Sequence, residues 1–256
     1  MEQVLSAIEK AIDEALPGSG KPFAVFDFDN TCIINDMGDA IFAYLSGHEL
    51  LRDRGLLGEI DTSPTYHERV YHINFAILEA GKSKASYVLN ARLFSRFTPG
   101  EAEAIALAAI TEEGVRLGSK MLYGHHIERG LALRRNVLTI MNYLRARGVE
   151  IWIISATAEP AIRAAMRHFG IEGNLVASRS VMQDGVYTSE LVEPLSMFEG
   201  KLDCIKKFID AEQAPLLVAG DSPNDLPMLE AGVLKVVVNR DNELAKIARE
   251  RGWFLI

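Results

Sequence analysis

The sequence has few cysteines and no surplus of positive charge. Cys32 and Cys204 are the two cysteines among 256 residues, and they form no CxxC pair. This spacing argues against a disulfide scaffold and a structural zinc site. Lys and Arg number 27 against 35 Asp and Glu, a formal net charge of −8. Nucleic acids and anionic membranes need a basic surface. We therefore expect neither as a partner, whereas a small anionic substrate is compatible with a local positive site.

Long apolar runs are also missing. The longest candidate, residues 104–110, is far shorter than the roughly 18 apolar residues that a membrane span needs. The N-terminus shows no basic segment followed by an apolar run, so it does not resemble a signal peptide. Hydrophobic residues make up 48% of the chain and charged residues 24%, which is an ordinary globular composition. These features predict a folded cytoplasmic protein.

Short apolar segments alternate with helical patterns in two parts of the chain. A helical stripe over 3–16 and a Pro-Gly-Ser-Gly linker at 17–20 precede the apolar run 23–26. Later strand-like runs cover 149–154, 216–219 and 236–238, and helical patterns cover 130–147, 159–169, 201–211, 224–231 and 242–250. This alternation predicts an α/β fold, a Rossmann-like parallel sheet covered by helices on both faces. Such sheets bind ligands at the carboxyl ends of their strands.

The segment between residues 36 and 128 has a helical pattern. Helix-period stretches cover 65–80, 84–94 and 100–116, and the last follows Thr98, Pro99 and Glu101, a combination typical of a capped helix start. A segment of this length is too long for a loop. We therefore predict an all-α cap domain over 36–128, inserted into a core formed by 1–35 and 129–256.

Acidic residues follow two of the predicted core strands. Asp27 and Asp29 follow the first strand, and Asp221 and Asp225 follow the strand at 216–219. The carboxyl ends of parallel strands meet at one edge of a sheet, so these carboxylates should lie close together. Like charges repel unless a cation lies between them, and oxygen ligands suit Mg²⁺. An acidic strand end can also be a simple turn or helix cap, and for one pair alone both interpretations have equal weight.

A serine and a lysine belong to the same predicted edge. Ser155 follows the strand at 149–154, and its hydroxyl with the next amides, including that of Ala156, can hold a phosphate oxygen near a helix N-terminus. Lys201 opens a helix, where the helix dipole favours negative charge. Taken singly, Ser155 is better explained as a helix cap and Lys201 as a surface lysine. As an ordered set with the two Asp pairs, they indicate a site for a phosphate group and a cation.

These motifs, in this order, resemble those of the haloacid dehalogenase-like (HAD) hydrolase superfamily. That superfamily has a DxDx[TV] segment, a strand-ending Ser or Thr, a Lys and an acidic GDxxND segment. The matching residues are Asp27-Phe28-Asp29-Asn30-Thr31, Ser155, Lys201 and Gly220-Asp221-Ser222-Pro223-Asn224-Asp225. The helical insertion between the first two motifs is similar to the cap of the phosphoserine phosphatase-like branch. Residues 29–31, 153–156 and 217–221 look like the corresponding stretches of bacterial phosphocholine phosphatases.

The resemblance implies a Mg²⁺-dependent phosphomonoester phosphatase with an aspartyl-phosphate intermediate. Asp27 would be the nucleophile and Asp29 the general acid and base. Mg²⁺ would be bound by Asp27, the backbone carbonyl of Asp29 and Asp221. The phosphoryl group would be bound by Thr31, Ser155, Ala156 and Lys201, with Asn224 and Asp225 in support.

The acid at Asp29 narrows the reaction type. Dehalogenases of the family lack an acid at this position and transport ATPases carry a DKTGT segment, so hydrolysis of a phosphate ester is favoured. A phosphomutase or phosphotransferase also uses this acid and stays an alternative. A non-catalytic phosphate-binding switch module is an alternative from another class.

The resemblance implies a small phosphate ester as substrate, with an amine-bearing ester of the phosphoserine or phosphocholine type as one candidate. Phosphoserine phosphatases carry a Glu soon after the first motif that holds the substrate amine, and the nearest counterparts here are Asp36 and Asp39. Both can equally stabilise a helix N-terminus. Tyr66, Tyr71 and Phe75 lie on the helical stretch 65–80, and their spacing favours a place in the cap core. The alternative is a pocket in which aromatic faces bind a quaternary ammonium group.

Overall fold

A computed structural model describes residues 1–15 and 20–256 of the chain. The last residue of the predicted helix 3–16 and most of the predicted linker, residues 17–19, lie outside these ranges. The helices are α1 (Glu2–Ala15), α2 (Met37–Gly47), α3 (Tyr66–Glu79), α4 (Ser83–Ala91), α5 (Pro99–Glu113), α6 (Arg135–Arg145), α7 (Glu159–Phe169), α8 (Glu199–Phe208), α9 (Leu226–Ala231) and α10 (Glu243–Arg251). The strands are β1 (Phe23–Phe26), β2 (Ile33–Ile34), β3 (Gly118–Leu122), β4 (His125–Arg129), β5 (Ala132–Leu133), β6 (Glu150–Ala158), β7 (Asn174–Ser178), β8 (Ser180–Gln183), β9 (Val186–Leu191), β10 (Leu217–Gly220), β11 (Leu234–Val237) and β12 (Phe254–Leu255).

The centre of the fold is a six-stranded sheet in the order β12-β11-β10-β1-β6-β7. All its neighbouring strands pair in parallel. Strand β1 lies between β10 and β6, so the residues that follow these three strands meet at one edge. The prediction of an α/β fold with a Rossmann-like parallel sheet is confirmed. Within the described ranges, no helix has both the length and the apolar character that crossing a membrane requires.

Strand β1 is buried on both faces of the sheet. Ala24 and Phe26 belong to the larger apolar cluster, which includes residues of α1, α6 and α7. Phe23 and Val25 belong to a second cluster with residues of α8, α9 and α10. This division follows from the two-residue period of a strand, whose side chains alternate between faces. Burial of both faces explains why β1 is apolar throughout.

The segment 36–128 contains four helices and a β-hairpin. The predicted stretches 65–80, 84–94 and 100–116 correspond to α3, α4 and α5. Helix α5 begins as predicted, with Thr98 and Glu101 in a reciprocal capping box and Pro99 in the first turn. The hairpin of β3 and β4 was not predicted. None of its strand residues is fully buried, and its half-buried inward face alternates apolar Leu122 and Ile127 with polar residues, which gives only a weak strand pattern. The division into core and cap at these bounds stays a prediction.

Strand β6 is longer than the predicted run 149–154. Its pairing with β7 shifts in register between Ser155 and Ala158. Ser155 therefore lies within the strand, immediately before an irregularity. Such irregularities bend a strand and change the direction of its side chains.

Candidate active site

The acidic residues lie together at the carboxyl edge of the central strands. Asp27 directly follows β1, and its backbone N–H donates to the carbonyl of Ala219 in β10 at 2.9 Å. Asp221 directly follows β10. Carboxylate oxygens of Asp27, Asp221 and Asp225 all lie within 4.8 Å of one another, and all three residues are buried. Parallel pairing of β1 with β10 thus produces the cluster.

Lys201 compensates part of this negative charge. Its Nζ donates to Oδ1 of Asp27 at 2.6 Å and to Oδ1 of Asp225 at 2.5 Å, and the side chain is fully buried. Burial lowers the pKa of Lys201, but Asp225 and Asp27 raise it by more, so the pKa lies above its ordinary value. The backbone N–H of Phe198, just before α8, donates to Oδ1 of Asn224 at 2.7 Å. This bond connects the start of the lysine-bearing helix to the acidic loop.

Asp225 holds the loop after β10 in place. Its Oδ2 accepts from the backbone N–H groups of Asp221 at 3.0 Å and Ser222 at 3.1 Å, and Lys201 occupies its Oδ1. A Cβ atom on Gly220 would lie 2.5 Å from the Cβ of Asp225, so the close approach of this loop requires glycine. Both oxygens of Asp225 are therefore engaged in orienting its neighbours.

The cluster has the chemistry of a site for a hard divalent cation. Burial, followed by the charge of Asp225, raises the pKa of Asp27 well above its usual range and the pKa of Asp221 to about 7. Asp221 also accepts from Oγ1 of Thr31 at 3.4 Å and from Nη1 of Arg240 at 3.0 Å. Buried carboxylates are costly unless they are paired or coordinate a metal. Asp27, Asp221 and Asp225 could hold a metal ion. The assignment of Mg²⁺ and of the Asp29 backbone carbonyl as a ligand stays a prediction.

Asp29 lies in a network of hydrogen-bond donors. Its Oδ1 accepts from the backbone N–H of Met37 at 2.7 Å, and its Oδ2 accepts from Ser155 Oγ at 3.2 Å and Thr157 Oγ1 at 2.8 Å. Burial, followed by the charge of Asp36, raises the pKa of Asp29 well above its ordinary value. A carboxyl group in this setting can carry a proton and is also held in one orientation.

A cavity of about 240 Å³ lies between this edge of the sheet and the helical segment. From the core it is lined by Asp27, Asp29, Asn30, Ala156, Thr157, Asp221, Ser222, Asn224 and Arg240. From the segment 36–128 it is lined by Asp36, Gly38, Asp39, Leu78, Ser83, Ser86, Tyr87, Asn90 and Glu128. We call it the catalytic cavity. A substrate in it would contact both parts of the chain.

Three of the predicted phosphate contacts do not line this cavity. Thr31, Ser155 and Lys201 are fully buried and bind the carboxylates described above, whereas Ala156 lines the cavity. Their roles with phosphate stay predictions.

Asp36 and Asp39, in the segment 36–128, combine the two predicted features, a place at the N-terminus of a helix and a place near a substrate. Asp36 is the N-cap of α2, and its side chain accepts from the backbone N–H of Asp39 at 3.0 Å. Both residues also line the catalytic cavity. Helix capping and a place at the substrate site are therefore compatible here.

Several residues of the site were not predicted. Arg240 binds Asp221, and Asn242 Nδ2 donates to the Asp221 carbonyl at 2.7 Å. Both follow β11 at the same edge, so the rule that identified the other strand ends could have found them. Thr157, Tyr87 and Glu128 come from a strand irregularity, a helix face and a hairpin, and no sequence signal marks them.

Comparison with known proteins agrees with this geometry. The family model of the haloacid dehalogenase-like hydrolases matches residues 24–230. The chain belongs to this family. It is 27% identical over 240 residues to a histidinol-phosphatase of Neisseria meningitidis, a match that covers 91% of this chain and 97% of that protein. It is 24% identical over 258 residues to a phosphorylcholine phosphatase of Pseudomonas aeruginosa, which covers 84% of this chain and 72% of that protein.

A solved structure shares the fold. It is a phospho-aspartyl intermediate analogue of phosphoserine phosphatase, with a TM-score of 0.56 and 17% sequence identity over 93% of this chain and 94% of that one. The predicted superfamily is confirmed. Family membership and relatives named as phosphatases also confirm the predicted enzyme class, a phosphatase.

Proposed function

We propose that this protein is a Mg²⁺-dependent phosphatase that hydrolyses a small, amine-bearing phosphate ester through an aspartyl-phosphate intermediate on Asp27. The observation that carries the proposal is the arrangement of Asp27 and Asp29. Lys201 binds Asp27 at 2.6 Å, and Asp29, two residues later, is held by three donors. One carboxylate is thus oriented beside a cation, and the other is suited to proton transfer.

The first chemical step forms the phosphoenzyme. Lys201 occupies Oδ1 of Asp27, and within the described ranges Oδ2 accepts no hydrogen bond, so Oδ2 is the attacking atom. A bond forms between this oxygen and phosphorus as the ester P–O bond breaks. Asp29 gives its proton to the departing oxygen, a role that its raised pKa supports.

The second step releases phosphate. Asp29, now a carboxylate, accepts a proton from water while the water oxygen attacks phosphorus. The bond between Asp27 and phosphorus breaks, and Asp27 returns to the carboxylate form. Ser155, Thr157 and the Met37 amide all donate to Asp29, so they stabilise its charged form in this step.

Asp27, Asp221 and the backbone carbonyl of Asp29 are the proposed metal ligands. Asp225 also lies within reach, but its Oδ1 is bound by Lys201 and its Oδ2 by two loop amides. Oδ1 of Asp221, in contrast, has only a long contact of 3.4 Å with Thr31. We therefore assign Asp225 a supporting role. Bound Mg²⁺ supplies charge neutralisation for the phosphoryl oxygens.

The charge of the cavity wall supports a cationic substrate group. Asp36, Asp39 and Glu128 line the catalytic cavity, and none of them forms an ion pair with a residue of the described ranges. A neighbouring cavity of about 260 Å³ shares these three residues with the first and adds the aromatic rings of Tyr71 and Phe75. Carboxylates beside aromatic faces favour an ammonium group.

The names of the relatives agree with this charge pattern. Histidinol phosphate, phosphocholine and phosphoserine, the compounds implied by those names, each carry a nitrogen cation close to the phosphate ester. A phosphate ester with a short amine-bearing group would place its phosphate near Asp27 and its cation near Asp36, Asp39 and Glu128.

Hydrolysis of p-nitrophenyl phosphate tests the reaction type. We expect turnover by the wild type with Mg²⁺, loss of turnover in EDTA and recovery when Mg²⁺ is restored. The Asp27→Asn variant should be inactive because an amide is a poor nucleophile. Equal rates for the two proteins would overturn the proposed mechanism, and turnover that survives EDTA would overturn the metal assignment.

A further inference from the structure

Helix α4 presents a polar face to the catalytic cavity. Ser83, Ser86, Tyr87 and Asn90 line the cavity, and their spacing along the helix is that of residues on one face. Tyr87 lies in the middle of this set. It carries the one aromatic ring among the lining residues of this cavity that the structure describes.

The ring of Tyr87 is positioned by the core. It packs edge to face against Phe198, with ring centroids 5.9 Å apart and an interplanar angle of 62°, a favourable geometry for an aromatic pair. Phe198 has a φ of 50° and donates its N–H to Asn224. It directly precedes α8, which carries Lys201. The contact therefore places Tyr87 of the helical segment next to the element that orients the nucleophile.

The hydroxyl group of Tyr87 has no hydrogen-bond partner within residues 1–15 and 20–256. Burial, followed by the charges of Asp36 and Asp225, raises its pKa above the ordinary value, so the hydroxyl stays protonated. Tyr87 lines the same cavity as Asp27 and Asp29, so its side chain shares this space with the proposed reacting carboxylates. Tyr87 is half-buried, and a tyrosine hydroxyl that is drawn out of bulk water usually finds a hydrogen-bond partner. The acceptor that the reaction would bring into this cavity is a phosphate oxygen.

We propose that Tyr87 is a substrate-binding residue whose hydroxyl group donates a hydrogen bond to an oxygen of the bound phosphate group, while its ring closes the cavity beside Phe198. Among the lining residues, most charged groups are carboxylates that repel an anion. A neutral donor on the cap side gives the phosphate a contact opposite the core. The identity of the ester rests on the proposed function, but the contact with phosphate can be measured separately.

The test compares Tyr87→Phe with the wild type. This substitution removes the hydroxyl and keeps the ring that packs on Phe198, so the fold should be retained, and equal melting temperatures would verify this. We expect the dissociation constant of inorganic phosphate, measured by calorimetry with Mg²⁺ present, to rise by roughly tenfold to a hundredfold, the usual effect of one hydrogen bond to a charged group. The KM for p-nitrophenyl phosphate should rise with it.

Tyr44→Phe is the matched control. Tyr44 lies on α2 and packs against His48 with ring centroids 4.5 Å apart, away from the catalytic cavity. This variant should bind phosphate like the wild type. Unchanged phosphate binding in Tyr87→Phe would overturn the proposal. If the wild type binds phosphate but hydrolyses no ester, the proposed function fails, and the comparison of the two phosphate affinities still decides the role of Tyr87.

Discussion

The ammonium nitrogen of Lys201 lies 2.6 Å from Oδ1 of Asp27 and 2.5 Å from Oδ1 of Asp225. The lysine side chain is fully buried, and both carboxylates are nearly so. One cation thus connects the nucleophile after β1 to the loop after β10. Loss of this cation would leave two buried carboxylates without their partner, which is more costly than loss of an exposed pair.

Lys201→Met should therefore reduce stability as well as activity. We expect the free energy of unfolding to fall by about 3 kcal/mol or more, the usual range when one partner of a buried ion pair is removed. Urea denaturation followed by circular dichroism measures this change. Lys206→Met, on the exposed face of the same helix, should stay within about 0.5 kcal/mol of the wild type. Equal stability of the two variants would show that the lysine bridge contributes little.

Asp39→Asn and Glu128→Gln should weaken binding of cationic substrates selectively. Each variant replaces a carboxyl group of the wall shared by the two cavities with a neutral amide. Burial, followed by the charge of Asp36, raises the pKa of Asp39 to about 8, and a bound cation would favour its charged form. We expect the KM for phosphocholine to rise several-fold and the KM for glycerol phosphate to change much less. Only phosphocholine carries a cationic group that the replaced carboxyl group could bind. Steady-state kinetics on both esters measures the ratio. Glu79→Gln, at an exposed position of α3, is the control, and parallel changes for both esters would contradict the cationic subsite.

The capping box of α5 should give a pH-dependent contribution to stability. Hydrogen bonds from Arg52, followed by those from Thr98, lower the pKa of Glu101 from 4.5 to about 2. A carboxyl group with a depressed pKa in the folded state stabilises the protein above its unfolded pKa, and this contribution is lost as the pH falls through the folded pKa.

Glu101→Gln isolates that charge, because glutamine can still occupy this position of a capping box. The wild type should be more stable than the variant above pH 4.5, and the difference should shrink as the pH falls toward 2. Urea denaturation of both proteins over this range measures it. A difference that does not vary with pH would contradict the assigned role of the charge.

The sequence was sufficient to locate residues at strand ends. Asp27 and Asp221 follow apolar strands, and parallel pairing of those strands necessarily brings their carboxyl ends together. The four motifs likewise identified the family, because their residues and their order can be read directly from the sequence without knowledge of side-chain packing. The helical nature of α3, α4 and α5 followed from period and from the Thr98 cap.

Residues that reach the site from other directions could not be predicted in this way. Thr157 approaches Asp29 because β6 continues past Ser155 with a shift of register, which depends on its pairing with β7. Glu128 reaches the cavity on a hairpin whose strands have no fully buried residue. Tyr87 reaches it because of how α4 packs on the core. These positions depend on tertiary contacts, which cannot be read from the local pattern of apolar and polar residues in the sequence.

The most direct test of the central claim is the site of phosphorylation in the Asp29→Asn variant. The variant is mixed with p-nitrophenyl phosphate and Mg²⁺, quenched in acid, digested and analysed by peptide mass spectrometry. Nitrophenolate can leave without receiving a proton from residue 29, so the phosphoenzyme still forms. The attack of water on the phosphoenzyme then lacks Asp29 as its base, so the phosphoenzyme should accumulate. The proposed mechanism predicts one phosphoryl group on Asp27, and none when Asp27→Asn is added to the same chain. A phosphoryl group on another residue, or turnover without any phosphoenzyme, would contradict it.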